Sequence, residues 1–389
     1  MTSRTRFLVL ALTTPLVLFT LVGGLLGQQR TTPGAYPELR VFDDVVSLIF
    51  GSYVEEPNPD TVLEGAMQGL AEGLDPDSSY LAPAHVAQAQ AEPGRTPAGT
   101  TGLTLTRQYY LRVVAARDGS PAAAAGLHTG DYIRAIDGKS TRHMSLFEGQ
   151  RLIEGPVGST VTLTVLRGSA TDTHDVPLTR VAPLAAEVSG RMAAPSVGLL
   201  RVTAFSDRTA AQMRQAIDRL DRQGATQVLI DIRHTAEGDP ALGAEPARLF
   251  VKSGVIAIRE ARGEQPQKTE AQAGDGAITL PVTLLTTNGT SQAAEVFAAA
   301  LVENDRARTV GERTLGRAAA QKLVKLPDGS GLWLTYARWL GPKGAAIHGT
   351  GIVPGTPVSE PDVEFGEPAA TEDPILEKAL EAVAVKAAA

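Results

Sequence analysis

The sequence predicts a chain of several domains that combines the α/β and α+β classes, and three observations support this. Strand-like and helix-like segments alternate over residues 184–360, which is typical of an α/β core. A stretch of short strand patterns punctuated by glycine precedes that core at residues 99–170. Helical periodicity occupies residues 36–93 and returns at residues 372–389, which predicts a helical region before these domains and a C-terminal helix after them.

The composition limits the possible classes of function. The chain has 389 residues, 43% of them hydrophobic, and a formal net charge of -7. An acidic chain is a poor partner for nucleic acid, whose binding depends on cationic side chains. The chain has no cysteine, which excludes disulfides, thiolate metal sites and a lipidated cysteine. The histidines show no spacing typical of a metal site, so we expect neither a metal nor another cofactor.

Residues 1–30 have the pattern of a membrane anchor or signal segment. Arg4 and Arg6 precede a mostly apolar run at residues 7–26, which is about long enough to cross a bilayer as a helix. The basic flank predicts that the N-terminus stays in the cytoplasm and that the rest lies outside. No clear Ala-x-Ala cleavage site follows the run. We therefore expect a membrane-anchored protein on the extracytoplasmic side, in the cell envelope or periplasm; cleavage would instead give a secreted protein.

The region at residues 36–93 predicts an amphipathic helix and then a helical hairpin. Apolar residues recur at helical spacing in its first part: Leu39, Phe42, Val45, Val46, Ile49 and Phe50. Its second part runs into the turn sequence Leu-Asp-Pro-Asp-Ser-Ser-Tyr-Leu. We interpret Asp75 and Asp77 as turn and capping residues rather than catalytic acids.

The segment at residues 99–170 carries Gly-Asp-Tyr-Ile, then Ile-Asp-Gly, and then a strand pattern that we predict to close the domain. It resembles a PDZ domain, a small β-barrel or sandwich. The resemblance places a carboxylate-binding loop at Gly102, Leu103, Thr104 and Leu105. In such a loop, backbone N–H groups converge on a peptide's C-terminal carboxylate while the peptide adds a strand to the sheet edge. Because these donors are main-chain atoms, Thr104 in place of a glycine leaves binding possible.

The α/β core at residues 184–360 contains a strand, a turn and a helix in immediate succession. Residues 282–287 predict a buried strand, Asn288 and Gly289 supply turn chemistry, and residues 293–303 predict a helix. This arrangement can present a nucleophile at a helix N-terminus, where free N–H groups can hold an oxyanion.

The order of these segments resembles the carboxyl-terminal processing (tail-specific) proteases, which are serine/lysine peptidases with an internal PDZ domain. Laid on the family's motifs, this chain has Gln292 at the position of the serine nucleophile and Arg317 at that of the lysine base. It retains Gln321, which matches a glutamine near the base. The resemblance also places the loop that serves the oxyanion at Glu237 and Gly238, where the family has two glycines.

These departures affect the reaction itself. The amide of Gln292 is a poor nucleophile and cannot form the acyl intermediate that divides peptide hydrolysis into two easier steps. Arg317 cannot be deprotonated near neutral pH, whereas a desolvated lysine can. The carboxylate of Glu237 would place negative charge where the reaction needs stabilisation of negative charge. The sequence therefore predicts that no competent catalytic residues remain.

Two residues could restore chemistry in another way. Ser291 is the fallback nucleophile, although its neighbouring position would aim the hydroxyl elsewhere; its other interpretation is a turn or N-cap serine. His234 could act as a substitute base with Ser291 or a water molecule; its other interpretation is a polar loop residue.

The function that the sequence predicts is that of a pseudoprotease, which binds protein or peptide C-termini, or other unstructured segments, without cutting them. One alternative is an active serine-type endopeptidase with a non-standard nucleophile. The other is a scaffold or regulatory subunit that binds no peptide. The predicted partners are peptide segments, the membrane through the N-terminal helix, and further subunits of its own kind or related proteases in an oligomer.

Overall fold

The computed structural model describes residues 35–91, 98–168, 172–184, 188–367 and 372–387. The predicted anchor or signal segment at residues 1–30 lies outside the described residues. Among the residues that are described, no helix is both long and apolar enough to cross a membrane.

The chain divides into two units after Gly65. Helix α1 (Ala35–Ser52) belongs to the first unit, and α2 (Pro59–Glu72) begins there and ends in the second. Strand β1 (Ser79–Leu81) and helix α3 (Pro83–Ala91) follow. The structure thus confirms a helical N-terminal region. The sequence did not predict β1, which pairs antiparallel with a strand of the core.

The PDZ-like module is built around one antiparallel sheet. Its strands and helices are β2 (Leu103–Gln108), β3 (Tyr110–Ala116), α4 (Pro121–Ala124), β4 (Tyr132–Ile136), β5 (Lys139–Ser140), α5 (Leu146–Ile153), β6 (Thr160–Leu166) and β7 (His174–Thr179). The strand order is β2-β3-β4-β6-β7, with β5 on β4. The sequence predicts that β6 closes this module, whereas the structure adds β7 to the same sheet. Strand β2, which carries the predicted carboxylate-binding residues, lies at one edge of the sheet.

The core domain contains a six-stranded sheet with helices on both faces. Its first part comprises β8 (Val188–Ala194), β9 (Val197–Val202), α6 (Thr209–Arg222), β10 (Gln227–Asp231), a 3-10 turn (Pro240–Gly243), α7 (Ala244–Ala247), β11 (Val255–Ala261), β12 (Gln267–Glu270) and β13 (Val282–Thr286). The rest comprises α8 (Ala293–Glu303), β14 (Ala307–Gly311), β15 (Ala319–Lys325), β16 (Gly331–Leu340), β17 (Thr356–Pro357) and α9 (Pro374–Ala387). The sheet order is β17-β14-β13-β10-β9-β8, and all pairs except β8 with β9 are parallel.

Neighbouring residues on the central strands face opposite layers, as the alternation of strand side chains requires. Leu200, Ile230 and Leu284 join the cluster that contains α6 and α8. Their neighbours Leu199, Leu229 and Leu285 join the cluster that contains Ile375, Ala379 and Val383 of α9. The C-terminal helix therefore docks on the face of the sheet opposite α8. A parallel sheet covered on both faces explains why its strands are almost continuously apolar.

A second core sheet is antiparallel. Its strand order is β1-β16-β11-β12, with β15 also paired to β16. The turn that connects β14 to β15 carries Arg317. Because β16 pairs with both β1 and β15, this sheet brings the segment after α2 beside that turn.

Phe297 of α8 offers a test of the packing between the helix and the core. Its ring is fully buried and lies 5.6 Å from the ring of Phe205 and 6.0 Å from that of Phe250, measured between centroids. We expect Phe297→Ala to lower the free energy of unfolding by about 3–5 kcal/mol, because it leaves a cavity between two rings. Urea denaturation would measure this. The control Val353→Ala, at a site that is 59% exposed, should change stability by less than about 0.5 kcal/mol.

Candidate active site and peptide groove

Gln292 lies at the turn between β13 and α8 and is the N-cap residue of α8, with φ 61° and ψ -125°. A positive φ is unfavourable for a residue with a side chain and needs support from its surroundings. That support comes from the preceding loop: Thr290 Oγ1 donates to the carbonyl of Ile232 over 2.8 Å, and Ser291 N–H donates to that of Thr235 over 3.0 Å. The backbone is therefore held in a sharp turn, while the side chain at its apex is a carboxamide.

Ser291 does not have the environment of a nucleophile. Its side chain is 1% exposed, and its hydroxyl has no hydrogen-bond partner among the described residues. The N-cap position belongs to Gln292, so the interpretation of Ser291 as an N-cap residue is wrong. Because its N–H bonds to Thr235, the backbone turns the Ser291 side chain into the packed interior rather than toward solvent.

Arg317 forms an ion pair with Asp77. The distance from its Nε to Asp77 Oδ1 is 2.7 Å, and the Asp77 side chain is 3% exposed. The Nη1 of Arg317 also donates to the carbonyl oxygen of Leu105, over 2.8 Å. The Arg317 carbonyl in turn accepts from the N–H of Gln292, over 3.2 Å. The position of the predicted base is therefore occupied by a cation that bridges the PDZ-like module and the segment after α2.

Asp77 is the residue of this site whose partner sequence reasoning missed. The interpretation of Asp75 as a turn residue is confirmed, because its Oδ1 accepts from the N–H groups of Asp77 and Ser78, over 2.9 and 2.7 Å. Asp77 has a different role, as the counter-ion of Arg317. Its partner lies 240 positions away, so no local pattern could have indicated the pair.

Glu295, one turn into α8, is a fully buried carboxyl group. It accepts hydrogen bonds from Thr314 Oγ1 at 2.5 Å and from the N–H groups of Gly316 and Arg317 at 2.6 and 2.7 Å. Burial raises the pKa of Glu295 to about 7, and the hydrogen bonds oppose part of that rise. This side chain fixes the loop that carries Arg317 against the start of α8.

Glu237 and Gly238 form the loop predicted to serve the oxyanion. The structure corrects the expected electrostatics, because Glu237 Oε2 lies 2.7 Å from Nη1 of Arg117 in the PDZ-like module. The negative charge is therefore compensated. Gly238 has φ 119°, and a Cβ there would lie 2.5 Å from the carbonyl oxygen of Phe205, so only glycine fits.

His234 is not positioned as a substitute base for Ser291. Its Nδ1 lies 2.9 Å from Thr129 Oγ1 of the PDZ-like module, and its Nε2 lies 2.9 Å from Glu360 Oε2. Both ring nitrogens thus have partners that belong to the packing between module and core. The hypothesis that His234 acts on Ser291 is not supported by this geometry.

The predicted carboxylate-binding loop lines the same cavity as Gln292 and Arg317. Gly102 has φ 77°, and a Cβ there would lie 2.1 Å from Cβ of Ser120. Leu103 and Leu105 are buried at 3% and 1% exposure. A cavity of about 310 Å³ joins the groove to the core, and Gln321, whose Nε2 donates to Thr335 Oγ1 over 3.2 Å, lies in its wall. The other lining residues are Asp77, Thr104, Leu105, Leu146, Phe147, Gln150, Arg151, Gln292, Arg317 and Trp333.

Comparison with known proteins identifies the fold and the family. Residues 196–358 match the model of peptidase family S41, and residues 112–167 match a PDZ domain. These domains and the relatives described next show that the chain is a homologue of the carboxyl-terminal processing proteases. It is 33% identical over 275 residues to a carboxyl-terminal-processing protease of Synechocystis sp., and the match covers 70% of this chain and 64% of that relative. The resemblance inferred from the sequence is thus confirmed.

Two further relatives agree with this assignment. A carboxy-terminal processing protease of Bacillus subtilis is 28% identical over 342 residues, covering 87% of this chain and 72% of the relative. The solved structure of a photosystem II D1 C-terminal processing protease superposes with a TM-score of 0.66 at 27% identity, covering 81% of this chain and 86% of that one. The mixed fold of a helical N-terminus, a PDZ domain and an S41 protease core is therefore established.

The buried carboxyl of Glu295 predicts a pH dependence of stability. Its pKa in the fold is about 7 against 4.5 for an ordinary glutamate, so between these values the folded chain binds more protons than the unfolded chain. The Glu295 contribution to the free energy of unfolding should therefore fall as the pH rises from about 4.5 to 7, by about 3 kcal/mol at most.

Urea denaturation at pH 5 and pH 8 would measure this, with Glu295→Gln as the reference. The chain with Glu295 should lose more stability between the two pH values than the variant does. Equal losses, or a larger loss in the variant, would contradict the assignment.

Proposed function

We propose that this chain is a membrane-anchored, extracytoplasmic pseudoprotease that binds the C-termini of peptides or unstructured proteins without hydrolysing them. The observation that carries the proposal is the pairing of Arg317 with the buried Asp77 beside a glutamine at the turn. A group that attacks the peptide bond and a base that takes its proton are the two requirements of serine-type hydrolysis. Gln292 and Arg317 meet neither of them.

The peptide-binding half of the proposal is supported by the parts that are retained. Strand β2 lies at a sheet edge beside α5, and its predicted loop begins at Gly102, whose positive φ suits a turn that directs backbone N–H groups toward one point. The cavity of about 310 Å³ continues from this groove to Gln292. The anchor, and with it the extracytoplasmic location, is supported by the apolar run and basic flank within residues 1–30.

The first test measures binding and cleavage in the same samples. We expect the full-length chain to bind unstructured peptides with apolar C-termini by titration, while mass spectrometry detects no cleavage. Cleavage that disappears in Ser291→Ala would overturn the proposal in favour of the active endopeptidase.

A second part of this test asks whether Gln292 and Arg317, at the positions of the nucleophile and the base, are what prevents hydrolysis. We expect the double variant Gln292→Ser, Arg317→Lys to cleave slowly, because Asp77 would hold a lysine in its charged form. Adding Asp77→Asn should raise cleavage at neutral pH by about tenfold or more, since one unit of pKa is one decade of neutral base. Equal rates with and without Asp77→Asn would show that Asp77 does not control the base.

The groove itself can be tested at Gly102. A methyl group there meets Ser120, so we expect Gly102→Ala to weaken peptide binding by at least about tenfold. Gly119→Ala is a matched control, because Gly119 has φ 73° and open space around its Cβ direction. Both variants place an alanine at a similar positive φ, but only Gly102→Ala brings its methyl group against Ser120. Unchanged binding in Gly102→Ala would favour a scaffold that does not use this groove.

A further inference from the structure

The carbonyl oxygen of Leu105 is already occupied by Arg317. Within the described residues, β2 pairs with β3 alone, so its other side is an open edge. The Leu105 carbonyl accepts a hydrogen bond from Nη1 of Arg317 over 2.8 Å. A peptide that adds a strand to this edge needs the main-chain acceptors of β2. Arg317 therefore competes with a bound peptide for one of them.

Displacing this guanidinium has a cost that depends on the ligand. The Arg317 side chain is only 13% exposed, and Asp77 holds its Nε. If a peptide N–H takes the Leu105 carbonyl, Nη1 of this mostly buried side chain loses its partner. An unpartnered donor of this kind weakens binding by about tenfold or more. A ligand avoids the loss by supplying an acceptor of its own.

The charges around the cavity define which acceptor fits best. Three charged side chains line it, namely Asp77, Arg151 and Arg317, and the first of these is paired with the last. The remaining lining consists of amide, hydroxyl and apolar side chains. A carboxylate is the acceptor that a guanidinium binds most strongly, because both groups are charged and two parallel hydrogen bonds can form.

We propose that Arg317 is a specificity-determining residue of the peptide groove, which releases the Leu105 carbonyl to a ligand that supplies a carboxylate in exchange. The proposal rests on the proposed function, since it concerns the same groove. The carboxylate can belong to an acidic side chain among the last residues of the peptide or to its C-terminus. In either case the groove selects anionic peptide ends over neutral ones.

The experiment uses the full-length chain and matched peptides in calorimetric titrations. One set of peptides exchanges Glu for Gln at each of the last four positions, and a second set compares a free C-terminus with an amidated one. The test variant is Arg317→Gln combined with Asp77→Asn, which leaves no buried charge without its partner. The control Arg338→Gln removes an exposed guanidinium that pairs with Glu260.

In the set that exchanges Glu for Gln, we expect the wild-type chain to lose about tenfold or more in affinity and the test variant to lose about twofold or less. In the amidated set the test variant should also lose affinity, but less than the wild type, because the loop at Gly102 still binds a free C-terminus. Neutral peptides should bind the test variant more tightly than the wild type, because their competitor is gone. The control variant should keep the preference. An equal loss in wild type and test variant overturns the inference and leaves the proposed function standing. Absence of peptide binding to every one of these proteins overturns both.

Discussion

The ion pair between Arg317 and Asp77 is the interaction on which the rest of this site depends. It places a permanent positive charge at the position where the sequence resemblance implies a lysine base, and the opposing carboxylate is almost fully buried. Removing one partner of such a pair leaves an uncompensated buried charge, which is strongly destabilising. The two residues therefore constrain each other, and the cation at this position is part of the packing between three segments of the chain.

Glu295 fixes the position of the loop that carries Arg317 relative to α8. A carboxylate that is desolvated on a helix costs free energy, and the chain offsets that cost with a hydroxyl and two backbone N–H donors from a single loop. These contacts tie the loop to the first turn of α8, directly beside Gln292. The geometry of the turn and the position of the guanidinium are thus set by the same buried acid. Direct hydrogen bonds therefore hold the loop of Arg317 against the turn of Gln292.

Much of the fold could be predicted from the sequence, because its strands and helices carry strong periodic patterns. Such patterns predict the apolar strands β10 and β13 and the alanine-rich helix α8. The site was predictable only where a family motif marked it, as at Gln292 and Arg317. The partners of those residues were not predictable: Asp77 lies 240 positions from Arg317, and Glu237 meets an arginine of another domain. Tertiary packing decides which charged residues pair across domains, and local sequence patterns carry no information about it.

The strained backbone at Gln292 is held in place by its surroundings. A residue with a side chain held at φ 61° and ψ -125°, outside the left-handed α region, costs of order 1–3 kcal/mol. This conformation persists because hydrogen bonds from Thr290 and Ser291 to the loop after β10 fix the backbone that leads into α8. The turn is therefore maintained by the packing of the sheet and helix, independently of any nucleophile at its apex. A substitution at the apex can remove the chemistry and leave the cleft intact, which is the condition under which a protease core can serve as a binding site.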